Sequence, residues 1–493
     1  MTPTISPIKG LYLITDHNDH LLERVAKALS AGVTCLQYRN KVKNYASRLA
    51  EARELQRLCL GRGVTFIVND DLPLAAEVRA DGVHFGQDDG SVGEARRMLG
   101  PEALVGISTH SLEEALRAEE EGADYIGFGA MYPTESKDVR YLPGPAALAE
   151  IRAQVRIPIV AIGGITRDNA PAVLDAGADA IAVISSVLAS SDPELAALEL
   201  ALLFNRTLPA PRGTVLTVAG SDSGGGAGIQ ADLKTATLLG SYAASVITAL
   251  TAQNTRGVSA IHGVPAPFVA EQLDAVFLDI PVDVVKTGML FSAEIIVTLV
   301  EKLACYGKRM LVLDPVMVAK GGSSLIDDAA IVILLERLLP SAYLITPNVP
   351  EAEALTGLTI RDEDDLELAA RELHHLGARN VLLKGGHLSG PEATDILFDG
   401  KTVRHYVSQR FTTNNTHGTG CTYASAIAAF LAQGEPLPVA VARAKEFVSE
   451  AIRRAVPLGQ GHGPVNHFLA AQRLLTRVDN GLYQKNETIK ESS

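Results

Sequence analysis

With 493 residues, 47% of them hydrophobic, 20% charged and 43 of them glycine, the chain is too long for one ordinary domain and fits two or three compact α/β domains. A net charge of −13 argues against a nucleic-acid partner, which demands a basic face, but a few local cations leave room for small anionic substrates. The four cysteines lack metal-ligand spacing, no leader-like segment opens the chain, and no stretch reaches the roughly 18 apolar residues of a membrane span, so no membrane partner and a reducing, cytoplasmic setting are expected.

The first part alternates regularly. Apolar, β-branched strands are predicted at GLYLITD, TCLQYRN, TFIVND, GVHFGQ, LVGIST, YIGFGA, PIVAIGG and AIAVISS. Amphipathic stretches such as LLERVAKALSAG, YASRLAEARELQRLCLG and LEEALRAEEEGA lie between them. Eight such units over roughly 200 residues predict a (β/α)8 TIM barrel, whose active site sits at the C-terminal ends of its strands.

Those ends carry chemistry. Asp70 and Asp88–Asp89 close two successive strands, and paired carboxylates with substrate phosphates are a common Mg²⁺ site. Gln37, Arg39 and Lys41 follow the second strand, Ser108 ends the fifth, and Thr134, Ser136 and Lys137 follow the sixth. Gly163–Gly164 and Ser185–Ser186 follow strands seven and eight, where backbone N–H groups commonly cradle a phosphate. Taken singly, each Asp reads equally well as a helix cap and the Gly pair as a tight turn. Chance caps would not bring Arg and Lys with them.

In order and spacing, YLITD, LQYRNK, VNDD, HFGQDD, GIST, YPTESK, IGGIT and VIS resemble the thiamine-phosphate synthases, from Lys9 to Ser191. The resemblance implies that a hydroxymethylpyrimidine diphosphate loses pyrophosphate and is captured by a thiazole phosphate. It also implies Mg²⁺ on Asp70 and Asp89, and the pyrimidine diphosphate on Gln37, Arg39, Lys41, Asn69, Ser108 and Lys137, the last also in a catalytic role. Thr134, Ser136, Gly164, Ile184 and Ser185 would face the thiazole phosphate. Ser136 stands where many relatives carry Thr, which keeps the hydroxyl.

NRTLPAPRG breaks the periodicity, so a domain over 1–204 and a linker over 205–212 are expected. A second domain over 213–476 has strands at TVLTVAG, SVITAL, VVKTGML, MLVLDPV, LITPN and VLLKGG, with VRHYVSQRF as an antiparallel member after a late hairpin. Irregular spacing favours an open α/β/α layer over a second barrel. Residues 477–493 read as a frayed polar tail. AGSDSGGGAGIQADLKT places a Gly-rich loop between strand and helix, a weak signal alone. In TTNNTHGTGCTYASAIAAF, residues Gly418 to Cys421 open an apolar helix, whose first amides form an anion hole.

With LDPVMV, TPNVPEAEAL, KGGH and GHGPVNHF, these motifs resemble the ribokinase-like superfamily, and within it the hydroxymethylpyrimidine/phosphomethylpyrimidine kinases, from Gly213 to Leu469. The resemblance implies ATP-dependent phosphorylation of the pyrimidine alcohol and then of its phosphate. Gly220, Asp232, Gln253, Met289 and Val316 would line the pyrimidine pocket, and Asn348, Glu351 and Lys384 would serve ATP and Mg²⁺. Gly418, Gly420 and Cys421 would be catalytic. Cys421 stands where sugar kinases carry an Asp base, and a thiol at a helix N-terminus can have a lowered pKa. Ser223 and Gly224 replace a frequent Pro-Ser and are expected to loosen the Gly-rich loop, while His374 and His375 read as surface groups. The leading reading is a two-step enzyme of thiamine biosynthesis; a silent precursor-binding module would have lost the charged residues of one half, a loss that neither half shows, and Cys421 in place of Asp disfavours a sugar kinase fused to an unrelated phosphate-binding barrel. Small-molecule substrates are the expected partners in each, and a homo-oligomer is compatible with all.

Overall fold

The first strands divide their apolar residues between two faces. Tyr12, Ile14, Cys35 and Ile67 join Tyr125, Val160, Ala180 and Ala182 in one buried cluster, while Leu11, Leu13, Leu36 and Val68 belong to another. This period of two is that of a barrel wall, with one set of side chains filling the interior and the other packing on a ring of helices. The computed structural model describes residues 8–17, 20–134, 142–317, 328–479 and 489–492.

Strands β1 (Gly10–Ile14), β2 (Val33–Tyr38), β3 (Thr65–Asn69), β4 (Gly82–Phe85), β5 (Leu104–Thr109), β6 (Tyr125–Gly129), β7 (Ile159–Ile162) and β8 (Ala180–Val183) close in chain order. The parallel pairing of β1 with β8 completes the ring. Capping residues start several of the barrel helices: Asn44 accepts from the N–H of Ser47, Ser91 forms a reciprocal pair with Glu94, and Ser111 accepts from the N–H of Glu114.

The chain divides into two compact units, Met1–Thr207 and Leu208–Ser493. Residues Leu203–Thr207 form a 3-10 turn that continues the helix Pro193–Leu202, so the first unit runs slightly past residue 204.

The second unit holds β9 (Thr214–Ala219), β10 (Tyr242–Ile247), β11 (Ala249–Asn254), β12 (Gly257–Gly263), β13 (Val284–Thr287), β14 (Leu311–Leu313), β15 (Leu344–Ile345), β16 (Val381–Lys384), β17 (Glu392–Phe398), β18 (Val403–Gln409) and β19 (Ile489–Ser492). Nine form one sheet in the order β10-β9-β13-β14-β15-β16-β17-β18-β19, parallel as far as β16 and antiparallel beyond. Two expectations need correction. SVITAL is not one strand: it breaks at Thr248, and its end enters the separate antiparallel hairpin β11–β12. No residue of β12 is fully buried, so no apolar alternation marked that hairpin. The tail is not simply frayed either, since the helix His467–Asp479 covers its start and β19 adds a strand beside β18.

Candidate active sites

At the C-terminal ends of the barrel strands lies a cavity of about 870 Å³, and of the residues expected there Gln37, Arg39, Lys41, Asn69, Asp70, Asp89, Ser108, Thr134, Gly164, Ile184 and Ser185 all line it. Ser136 and Lys137 lie outside the described residues.

Local structure explains which acids face the cavity. Asp71, not Asp70, caps the helix Leu72–Val78 and also pairs with Arg48 at 2.9 Å. Asp70 takes a left-handed backbone at φ 60° and turns towards Lys41, whose Nζ lies 3.7 Å from its Oδ2. Ser91 caps the next helix, which corrects the reading of Asp88 and Asp89 as caps and leaves Asp89 in the cavity wall. Burial and the neighbouring Asp89 charge raise the Asp70 carboxyl, against Lys41. Buried Thr15 fixes Arg39 through both its backbone N–H, at 2.8 Å, and its carbonyl, at 3.1 Å. Gly163 and Gly164 have φ of 100° and 62°, and a Cβ on Gly164 would lie 2.4 Å from the Pro133 carbonyl oxygen.

The cavity also exposes groups that the sequence reading missed. Tyr12, Tyr125 and His84 form its floor together with Gln37 and Ser108. They are joined by hydrogen bonds from Gln37 Nε2 to Tyr12 Oη (2.9 Å), between the two tyrosine hydroxyls (3.0 Å), between His84 Nδ1 and the Tyr125 hydroxyl (3.2 Å), and between His84 Nε2 and the Ser108 hydroxyl (2.9 Å). Burial pushes His84 down to about 4, so the ring is neutral near pH 7.

A second cavity, of about 730 Å³, opens in the second unit. Gly220, Gln253, Met289, Val316, Asn348, Glu351, Lys384, Gly418, Gly420 and Cys421 line it as expected. Asp232 does not. It is 2% exposed, and its oxygens accept from Lys286 Nζ (2.8 and 2.9 Å), Thr217 Oγ1 (2.6 Å) and Ser425 Oγ (2.7 Å). The carboxylate is therefore spent on a buried cation beneath the site, and Lys286, 0% exposed, is its structural partner.

At one end of this cavity Asn348 and Glu351 form a reciprocal cap, Asn348 Oδ1 accepting from Glu351 N at 3.0 Å and Glu351 Oε2 from Asn348 N at 2.8 Å. Burial, aided by Asp314, pushes Glu351 up to about 7 against the opposing charge of Lys384. Asp314 Oδ1 accepts from Lys384 at 3.1 Å and from Thr346 at 3.1 Å, while its buried Oδ2 has no hydrogen-bond partner. At the other end, Asp222 Oδ2 takes N–H bonds from Gly226 (3.0 Å) and Ala227 (2.8 Å) and meets His417 Nε2 at 2.8 Å. Although burial alone would raise it, the His417 contact and these amides hold Asp222 below the usual carboxylate range. Asp222 and His417 were not singled out from sequence, being 195 residues apart.

Family models match in the same order as the two cavities: "Thiamine monophosphate synthase" over residues 11–187 and "Phosphomethylpyrimidine kinase" over 222–466. The chain is 64% identical to the "Thiamine biosynthesis bifunctional protein ThiED" of Geobacter sulfurreducens, over 96% of both chains. It belongs to the bifunctional thiamine-biosynthesis family. The second unit is also 49% identical to the hydroxymethylpyrimidine/phosphomethylpyrimidine kinase of Bacillus subtilis, over 51% of this chain and 94% of that protein. Among solved structures, the ADP complex of Bacillus subtilis pyridoxal kinase is similar at TM-score 0.50 and 38% identity, over 53% of this chain and 99% of that one.

The first unit is thus the synthase unit and the second the kinase unit. Both families generally use Mg²⁺, and the kinases ATP. The residues fit these groups. In the synthase unit burial and the Asp89 charge raise the Asp70 carboxyl beside lysine and arginine, a charge set that a divalent cation with substrate phosphates relieves. In the kinase unit the orphaned Asp314 Oδ2 and the raised Glu351 carboxyl ask for a cation in the same way. Among the described residues no helix is long and apolar enough to cross a membrane.

Three side-chain expectations change. Burial, with Asp232 and Asp314 nearby, pushes the Cys421 thiol up to about 12 against the pull of Lys286, so the helix N-terminus does not make it a ready thiolate. Ser223 does not loosen the Gly-rich loop: its Oγ donates to the Gln253 carbonyl and accepts from the Gln253 N–H, both at 2.8 Å, which ties the loop to β11. His374 is half-buried, its Nδ1 lying 2.8 Å from the Ala378 carbonyl oxygen and its ring edge-on to Phe398.

Proposed function

We propose that the kinase cavity converts hydroxymethylpyrimidine to its diphosphate with ATP, and that the barrel cavity couples this diphosphate to thiazole phosphate, releasing pyrophosphate. The observation that carries this reading is that each unit keeps its own acids and cations around its own cavity. A silent binding module would be free to lose them.

Mg²⁺, when bound, neutralises phosphate charge in both cavities. In the kinase unit Asp314 and Glu351 hold the cation, and Lys384 steadies the phosphates from beside Asp314. The amides from Gly418 to Cys421, at the start of the helix Thr419–Ala432, face the transferring group. A Cβ on Gly420 would meet only Lys384 Nζ at 3.5 Å and Asp314 Oδ2 at 3.8 Å, which puts this backbone next to the charges it works with. Cys421 can take the alcohol's proton only as a thiolate, its own proton having first passed to solvent, so it serves the first phosphorylation more than the second, whose nucleophile is already ionised and needs no base. Gly220, Gln253, Met289 and Val316 hold the pyrimidine.

In the barrel Asp70 and Asp89 hold the metal, while Arg39, Lys41 and Ser108 donate to the diphosphate and stabilise it as it leaves. The aminopyrimidine delocalises the positive charge that develops, so no protein nucleophile is needed. Asn69 fixes Asp70, and Gly164, Ser185, Ile184 and Thr134 seat the thiazole phosphate. All four cysteines are free thiols, in keeping with a reducing compartment.

The test separates the halves. Purified protein given ATP, Mg²⁺ and hydroxymethylpyrimidine should form ADP in both the parent and Asp70→Ala. With thiazole phosphate added, thiamine phosphate should form only in the parent. ADP formation that ignores the pyrimidine would refute the kinase half.

A further inference from the structure

We infer that the hydrogen-bond chain under the barrel cavity, Gln37–Tyr12–Tyr125–His84–Ser108, ties recognition of the pyrimidine amino group to the hydroxyl that faces the diphosphate. This inference rests on the synthase reading above. Tyr12, Tyr125 and His84 are then positioning residues, and the chain selects amino-substituted over oxo-substituted pyrimidines at both ends of the substrate.

The argument is one of counting protons. The links are 2.9, 3.0, 3.2 and 2.9 Å, and every member borders the cavity. A tyrosine hydroxyl has one proton to donate, and a neutral imidazole has one N–H. Burial keeps His84 neutral near pH 7 and keeps both phenols protonated. Two arrangements satisfy every link and also use the proton of each phenol within the chain. In the first, Gln37 Nε2 donates to Tyr12, Tyr12 to Tyr125, Tyr125 to His84 Nδ1, and His84 Nε2–H to Ser108 Oγ. The Ser108 proton is then left to point at the cavity, and the Gln37 carbonyl oxygen is left as an acceptor. In the second, every bond is reversed: the Gln37 amide is flipped, and Ser108 spends its proton on His84. A mixture makes one phenol accept from both sides and leaves its own proton without a partner in the chain, which a buried site tolerates poorly.

The structure has Gln37 donating to Tyr12, as in the first arrangement. Its two ends match an aminopyrimidine diphosphate: an acceptor for a ring amino group and a donor for an anionic phosphate. An oxo group in place of the amine would draw the Gln37 N–H, flip the chain, and turn Ser108 from donor to acceptor against the phosphate. The penalty for the wrong ring substituent would then be felt at the other end of the substrate.

Such coupling can be measured with binding alone. The probes are two unreactive analogues of the pyrimidine diphosphate in which CH₂ replaces the ester oxygen, one with the ring amino group and one with hydrogen in its place. Their Kd values with Mg²⁺ would be measured on the full-length parent, Ser108→Ala, Tyr125→Phe and the double variant. In the parent background, Ser108→Ala should reduce the affinity gained from the amino group by about fivefold or more. In the Tyr125→Phe background, which keeps the ring but cuts the chain, Ser108→Ala should leave that gain unchanged. Tyr12→Phe cuts the neighbouring link and must give the same result, so a folding defect in one variant cannot decide the matter. Independent, multiplying effects in the parent would overturn the inference, as would coupling that survives both Phe variants. Failure of the parent to bind either analogue would overturn the synthase reading itself, and this inference with it.

Discussion

Asp232 and Lys286 offer the sharpest test of how the kinase cavity is built. Lys286 is fully buried, with Asp232 as its ion-pair partner at 2.8 Å. Burial alone would lower the lysine, yet the Asp232 charge holds it above its ordinary value. Asp232→Asn removes that charge and leaves the ammonium buried, a change that costs about 3–5 kcal/mol. The same reasoning applies to Lys286→Met, but towards the lower end, because Thr217 and Ser425 still donate to the carboxylate. In the double variant Asn keeps hydrogen-bonding capacity for both hydroxyls and no charge remains, so the combined loss should be well below the sum of the single losses. Urea unfolding of the kinase unit is the assay, and the Asp232→Asn midpoint should fall by about 1–2 M. If Asp232→Asn instead unfolds like the parent while KM for the pyrimidine rises tenfold or more, in the range of about 1.4 kcal/mol of lost binding, Asp232 touches substrate and the account of the cavity floor is wrong.

Other outcomes follow from the same geometry. Asp70→Ala or Asp89→Ala should lower synthase turnover by about 10²-fold or more while the kinase rate is unchanged; equal loss in both activities would point to misfolding. Gly420→Ala should fold normally, since its Cβ meets only Lys384 Nζ and Asp314 Oδ2, yet slow phosphoryl transfer, as a melting curve read beside the kinase rate would reveal. Glu351 is raised from 4.5 to about 7 in the folded chain, so folding binds a proton in that window and the kinase unit should lose stability as pH rises from 4.5 to 7. Glu351→Gln should flatten that slope in denaturation curves taken across the range. Cys421→Ala should damage phosphorylation of the alcohol far more than of its phosphate, and equal losses would remove the proposed proton role.

Most of the barrel can be read from sequence because its strands alternate with helices at regular intervals and its polar residues stand at strand ends. What cannot be read locally is which of two adjacent acids does which job. Asp70 and Asp71 are equal candidates for a cap until the helix Leu72–Val78 takes Asp71. Tyr12, His84 and Tyr125 hide inside apolar strands, where a lone polar side chain reads as satisfied core; only closure of the barrel brings them into one chain of hydrogen bonds. The kinase unit is less legible for the same reason. Asp232 looks like a pocket residue beside the Gly-rich loop until Lys286, 54 residues on, arrives to neutralise it. Helix geometry argues for a reactive Cys421, but burial outweighs the helix dipole.

The central claim is that one chain performs two consecutive steps. The most direct measurement supplies full-length protein with ATP, Mg²⁺, hydroxymethylpyrimidine phosphate and thiazole phosphate and follows thiamine phosphate, with Asp70→Ala and Gly420→Asp in parallel. Product from the parent, none from either variant, and rescue of Gly420→Asp alone by supplied pyrimidine diphosphate is the predicted pattern. Absence of product from the parent even when the diphosphate is supplied would contradict the account, leaving the barrel as a binding module.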